Sequence, residues 1–247
     1  MSLNQEGRVT RICAHRGLSH ACPENTLPAF AAAIALGVDE IEFDLWLSRD
    51  GVAVVCHDPK LDRTTDGEGV VTEMDWSDIR KADAGVRSGE QWAGIRVPRF
   101  EEVLECAGSH VSLNIHIKDP GPEAKLVKMV CDAIQVKDLA DRAYIAGIAD
   151  VLSASRAYAP DVARCCLAGQ NSPDEQIDLA IEYGCKRLQF SRKVTRSDAE
   201  RAHSVGLINN LFWSDELVDA RAYVDVGIDV VLTNRANLVS SLRMSDE

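Results

Sequence analysis

The sequence predicts an α/β fold: a (β/α)8 TIM barrel with a β-hairpin and an inserted loop segment after the second strand. Short apolar runs alternate with helical segments along nearly the whole chain, the mark of βα units on a parallel sheet. Set one hairpin return aside and eight such runs remain, each with a helical segment available before the next. The length, 247 residues, suits eight βα units, which typically take roughly 250. No Pro/Gly-rich linker divides the chain, so residues 1–247 are expected to form one domain. An open doubly wound sheet is the alternative architecture.

The first strand is "RICAH", followed by a helix over about 26–36 with Thr26 as N-cap and Gly37 as stop. The second is "EIEFDLWL". The next apolar run, "VAVVCHD", follows after only "SRDG", too short for a parallel crossover of a dozen or more residues. Asp50-Gly51 is a two-residue hairpin signal. With those two as the turn, Arg49 faces Val52 and Asp44 faces His57. Residues 58–99 are too long for an ordinary connection and are expected to form a lid or wall over the barrel mouth. The helix "FEEVLECA" then completes the second unit. "SLNIHIK" precedes a helix near 123–134, "AYIAG" one near 151–158, "VARCCL" one near 173–183, and "RLQF" one near 196–204. "LINNLF" precedes 215–226, and "DVVLTN" a last short helix near 238–242.

Composition narrows the function classes. With 46% hydrophobic and 27% charged residues the chain reads as an ordinary globular protein. Its net charge of −12 argues against nucleic-acid binding, which needs cations to displace counterions from phosphate. The N-terminus has no apolar signal core, and nothing approaches the ~18 apolar residues of a membrane span. A cytoplasmic protein with no stable membrane anchor is the expectation. The eight cysteines form no CxxC pair and mostly sit in apolar runs, so they are expected to be reduced, buried small hydrophobes.

In a barrel, chemistry belongs at the C-terminal strand ends and the loops that follow them. His15 and Arg16 end the first strand. Glu42 and Asp44, two apart, share one face of the second; His116 and Lys118 do the same on the next parallel strand. The hairpin adds His57 beside the carboxylates. Two carboxylates with a further oxygen or nitrogen ligand suit one divalent metal ion: Mg, Mn, Ca or Zn. Flanking histidines suit general acid and base, and Arg16 and Lys118 suit an anionic group. The combination points to metal-assisted phosphoryl chemistry. His20, His110 and His203 have no placed partner and are read as structural. Arg63 and Thr64, in "LDRTTDGEG", read as turn residues as readily as functional ones, and the cations of "CKRLQFSRK" as a solvated face.

The motifs "AHRG…PENTLPAF", "EIEFDLWLSRDGVAVVCHDPKLDRTTDGEG" and "VPRFEEVLE" together resemble the glycerophosphodiester phosphodiesterases. The resemblance runs almost continuously from Ile12 to about Glu105 and more loosely to "VLTNR". It implies a (β/α)8 barrel and a divalent metal assisting hydrolysis of a small-molecule phosphodiester to an alcohol and a phosphomonoester, in lipid and glycerol metabolism. It further implies that His15 and His57 are the acid/base pair, that Arg16 and Lys118 contact phosphate, and that Glu42 and Asp44 bind metal. The family's third ligand is the Glu of an E-x-K strand; here His116 stands in that place, which shifts preference toward Mn or Zn over Mg or Ca. Other departures are Leu211 at the place of a pocket-lining Trp, Thr233-Asn234 for Thr-Asp, and Gly147-Ile148 for Ser-Phe. These leave open a related diesterase or phospholipase D-like lyase with another leaving group, and His116 in the third-ligand place leaves open a phosphate-binding module without turnover.

Overall fold

Eight parallel strands close into a barrel in the computed structural model, which describes residues 10–243. They are β1 (Arg11–His15), β2 (Glu40–Leu47), β4 (Ser112–Ile117), β5 (Ala143–Gly147), β6 (Arg164–Cys166), β7 (Arg187–Phe190), β8 (Ile208–Leu211) and β9 (Val230–Thr233). β1 pairs with β2 on one side and β9 on the other, closing the cylinder. β3 (Ala53–Val55) runs antiparallel on β2, outside the ring. The helices are α1 (Leu27–Ala35), α2 (Trp76–Ile79), α3 (Phe100–Ala107), α4 (Lys125–Val136), α5 (Ala149–Tyr158), α6 (Pro173–Glu182), α7 (Arg196–Ser204), α8 (Leu217–Val226) and α9 (Ala236–Val239). The predicted barrel is therefore present, with helix ends within two residues of expectation except at α9, which ends three residues early.

Strand alternation sorts the side chains. Ile12 and Ala14 of β1, Ile41, Phe43 and Leu45 of β2, and Leu113, Ile115 and Ile117 of β4 all join the core between barrel and helices. Because neighbours in a strand face opposite ways, the intervening residues face the barrel axis: Cys13 and His15, Glu40, Glu42 and Asp44, Asn114 and His116. Barrel interiors are usually layers of Val, Ile and Leu; here the first three parallel strands line theirs with acids, amides and imidazoles.

The hairpin register departs from expectation by one residue. Leu45 pairs with Val55, Trp46 with Val54 and Leu47 with Ala53, so Asp44 lies opposite Cys56, whose N–H donates to the Asp44 carbonyl at 3.1 Å. The loop has three residues, Arg49 to Gly51. Gly51 takes the left-handed conformation, φ +88°, and its N–H donates to Ser48 O, the form a three-residue hairpin loop with a terminal glycine adopts. The Ser48 hydroxyl holds this loop by donating to Asp50 and accepting from the Val52 N–H. His57 is thereby moved off the ladder and onto the segment beyond β3. That segment, 58–99, packs around a small core of its own, including Val54, Cys56, Leu61, Val71 and Ile79. Arg80 ties it to α3 through a bidentate pair with Glu102.

α1 starts after Thr26, as the sequence predicts, but the Thr26 hydroxyl donates to Pro23 O at 2.6 Å rather than capping the helix. Gly17 explains why the loop after β1 reads His-Arg-Gly: at φ +79°, a Cβ there would lie 2.6 Å from the Ala29 carbonyl carbon. The loop can thus lie directly against α1. The cysteines are free, and all but Cys106 are buried. No helix among the described residues is long and apolar enough to cross a membrane.

Candidate active site

At the C-terminal mouth, β1 delivers His15, which is 6% exposed. Its Nδ1 lies 2.8 Å from Asn234 Oδ1, just past β9, the strand beside β1. The Asn234 amide orientation follows from its other contacts: Nδ2 and the backbone N–H both donate to Asp215, and a carboxylate only accepts. Oδ1 therefore faces His15 and accepts from Nδ1–H, leaving Nε2 with its lone pair toward the mouth, 3.9 Å from Glu42 Oε2. Burial and the Arg16 charge push the His15 imidazole down to about 4, against the Asn234 hydrogen bond, so it is neutral at pH 7. Phe212 packs edge-on against its ring at 5.5 Å.

Glu42, Asp44 and His116 come together: one ligand atom from each lies within 4.8 Å of the others. Glu42 accepts from the Arg16 backbone N–H at 3.0 Å, which the left-handed conformation of Arg16, φ +57°, turns toward it. Burial, then the Asp44 charge, raises the Glu42 carboxyl well above the usual range. Burial alone would raise Asp44 too. The His116 hydrogen bond and the charges of Lys118, His116 and Arg16 outweigh it and hold Asp44 well below the usual range. Asp44 Oδ1 lies 3.0 Å from His116 Nδ1 and 2.9 Å from Lys118 Nζ, while Oδ2 accepts from Asn25 Nδ2 at 2.8 Å. Burial lowers the His116 imidazole, with Asp44 opposing.

His57 lies beyond β3 and is linked to the loop after β1 through Asp58, Arg63 and Glu24. Its carbonyl accepts from Trp46 Nε1 and its Nδ1 lies 2.6 Å from Asp58 Oδ1. Hydrogen bonds from Arg63 hold Asp58 down at about 2, so it is a carboxylate at neutral pH. Arg16 pairs with Glu24 at 2.9 Å and lies 3.4 Å from Asp44.

The structure thus gathers the expected residues at one mouth and adds partners to which the sequence assigns no role, Glu24, Asn25, Asp58, Asp215 and Asn234, together with Arg63, which the sequence leaves evenly between turn and functional residue. Two placements are overturned, those of Leu211 and Arg187. Leu211 is fully buried in the core between barrel and helices, because Asn210 takes the inward position and donates to the Tyr144 hydroxyl. The aromatic residue at the mouth is Phe212, one position on. His203 does have partners, Asp229 at 2.8 Å and Asn209 at 3.1 Å, at the opposite end of the barrel. Arg187, from the cationic run, is not on a solvated face but 3.2 Å from the fully buried Glu40.

Fold and site together define a class: a (β/α)8-barrel phosphodiesterase. The sequence profile of the glycerophosphoryl diester phosphodiesterase family matches residues 15–238. The chain belongs to that family. It is 28% identical over 249 residues to a Bacillus subtilis glycerophosphodiester phosphodiesterase, covering 93% of this chain and 85% of the relative. It is 47% identical over 127 residues to the enzyme of that name from Caldanaerobacter subterraneus, a match spanning 49% of this chain and about half, 52%, of that relative. Among solved structures, an Agrobacterium tumefaciens glycerophosphodiester phosphodiesterase superposes with a TM-score of 0.81 at 26% identity, covering 94% of this chain and 99% of that one. An Oleispira antarctica phosphodiesterase, in complex with the product sn-glycerol-3-phosphate, shares the fold with a TM-score of 0.86 at 23% identity, covering 96% and 98%.

Proposed function

We propose that this enzyme hydrolyses a glycerophosphodiester to an alcohol and a phosphomonoester, with the glycerol phosphate product of the Oleispira relative as the guide to substrate. The observation that carries this reading is the convergence of Glu42, Asp44 and His116 within 4.8 Å, with the Lys118 ammonium against Asp44 and His116 and a histidine from either side of the mouth. Two anionic oxygens and an imidazole nitrogen converging where a positive charge already sits is a donor set that fits a divalent cation. When bound there, such a metal supplies Lewis-acid polarisation of a nonbridging phosphate oxygen.

The chain's own residues divide the remaining work. Arg16 and Lys118 hold and neutralise the phosphate. His15, neutral and fixed by Asn234 with Nε2 free, takes the proton of the attacking water. His57, its Nδ1 anchored on Asp58, presents Nε2 to the leaving alkoxide and gives it a proton. Segment 58–99 walls the mouth on the side of Glu24. The unpaired cysteines support a reducing, cytoplasmic setting.

Purified protein assayed on glycerophosphodiesters with Mn, Zn, Mg or Ca tests this. His15→Ala and His57→Ala should each lower kcat by about 10²–10⁴; two variants with wild-type rates would refute the roles. The nitrogen ligand further argues for Mn or Zn over Mg or Ca. In equilibrium dialysis, His116→Glu should weaken Zn retention relative to Mg by about tenfold, whatever the activity. An unchanged ratio would remove His116 from the metal.

A further inference from the structure

Arg63 joins the two sides of the mouth. Its Nε donates to Asp58 Oδ2 at 2.5 Å and its Nη2 to Asp58 Oδ1 at 3.2 Å. Its Nη1 and Nη2 donate to Glu24 Oε2 and Oε1 at 2.9 and 2.7 Å. Both edges of one planar guanidinium are thus engaged in two-point pairs. Each carboxylate carries a further passenger: Asp58 holds His57 Nδ1 at 2.6 Å, and Glu24 holds Arg16 Nη1 at 2.9 Å. The unbroken chain His57–Asp58–Arg63–Glu24–Arg16 links a side chain beyond β3 to one beyond β1, although those segments belong to different elements of the fold.

We propose that Arg63 is a positioning residue that sets the distance and angle between the His57 imidazole and the Arg16 guanidinium. The proposal rests on the reading that these two groups serve the phosphate. Three features carry it. First, the Arg63 side chain is 47% exposed at the mouth, and the two carboxylates it grips are those that hold His57 and Arg16. Second, the four charged groups, Arg16, Arg63, Glu24 and Asp58, balance. Without Arg63, Glu24 is left to Arg16 alone and competes with phosphate for that guanidinium, while Asp58 carries His57 with nothing to fix it. Third, the geometry is particular to arginine: an ammonium is a point charge and cannot present two forked edges. The Thr65 hydroxyl, donating to Leu61 O and accepting from the Gly67 N–H, steadies the turn from which Arg63 projects.

The test is steady-state kinetics on a glycerophosphodiester at saturating metal for Arg63→Gln, Arg63→Lys and the double variant Arg63→Gln with Glu24→Gln, with thermal unfolding of each. Arg63→Gln should raise KM and lower kcat, each by about tenfold, as small misplacements of reacting groups do, with the unfolding temperature unchanged. Arg63→Lys should recover little of either. The double variant should recover KM, because Arg16 is released, but not kcat. Wild-type kinetics in Arg63→Gln, full recovery in Arg63→Lys, or a rate loss that follows a fall in unfolding temperature would each overturn the proposal. Arg16→Ala and His57→Ala run alongside separate the two levels: if they are impaired and Arg63→Gln is not, only the Arg63 role falls; if they are unimpaired, the reading of the site falls and takes this role with it.

Discussion

Glu40 and Glu42 sit two residues apart on β2, face the same barrel axis and are both buried, yet their surroundings are opposite. Glu40, toward the N-terminal end, accepts from the Tyr144 hydroxyl at 2.7 Å and pairs with Arg187 at 3.2 Å and Arg11 at 3.3 Å. The Arg187 guanidinium also stacks 4.4 Å from the Tyr144 ring centroid. Glu42, one layer up, receives one backbone N–H and otherwise faces a second carboxylate and the imidazoles of His15 and His116 at 3.9 and 3.8 Å. A buried charge is tolerable only when paired. Glu40 has its cations built in. Glu42 shares its layer with Asp44, and the cations there, Lys118 and Arg16, lie against Asp44 rather than Glu42.

Glu42→Gln should give the largest effect, lowering kcat/KM by more than about 10²-fold, beyond the range for outer partners of a metal site. The same change should raise the unfolding temperature of the metal-free protein at neutral pH. A carboxyl whose folded pKa is raised contributes stability below its ordinary value of 4.5 and loses it as pH rises through the folded one, so Gln removes a penalty. Glu40→Gln should do the reverse, costing about 3 kcal/mol by denaturant titration, as breaking a buried pair does, while kcat/KM holds. Should Glu40→Gln abolish turnover without loss of stability, the division between the two layers is wrong. The smallest effect concerns His15: in the metal-free protein, NMR titration should find its ring neutral down to about pH 4. The unfolded chain takes up that proton first, near 6.5, so this group's contribution to stability falls as pH drops from 6.5 through about 4. A His15 midpoint near 6.5 would show that the ring is not desolvated as described.

Much of this is legible in the sequence. Strand–helix alternation gave the barrel, and the period-two spacing of Glu42/Asp44 and His116/Lys118 put them on the axial face, because strand parity does not depend on tertiary detail. What escaped was set by local geometry that spacing does not encode. Asp50-Gly51 reads as a two-residue turn, but the Ser48 side chain and the left-handed Gly51 make a three-residue loop, and a slip of one residue was enough to move His57 out of the ladder. Leu211 was misplaced for the related reason that parity on β8 is counted from Asn210. Arg63 and Glu24 lie in motifs that were recognised, yet 39 residues apart, and nothing in the sequence brings them into contact. Asn234 was within reach: in a closed barrel the last strand must neighbour the first, so a polar residue ending β9 falls beside the histidine ending β1.

That seam between β9 and β1 has a bearing on how the enzyme comes into being. The amide that orients the His15 ring lies 219 residues further along the chain. Until β9 lies beside β1, that amide cannot fix which ring nitrogen carries the proton. The orientation of that ring is thereby tied to closure of the barrel, because the group that fixes it follows β9, the strand that seals the cylinder against β1.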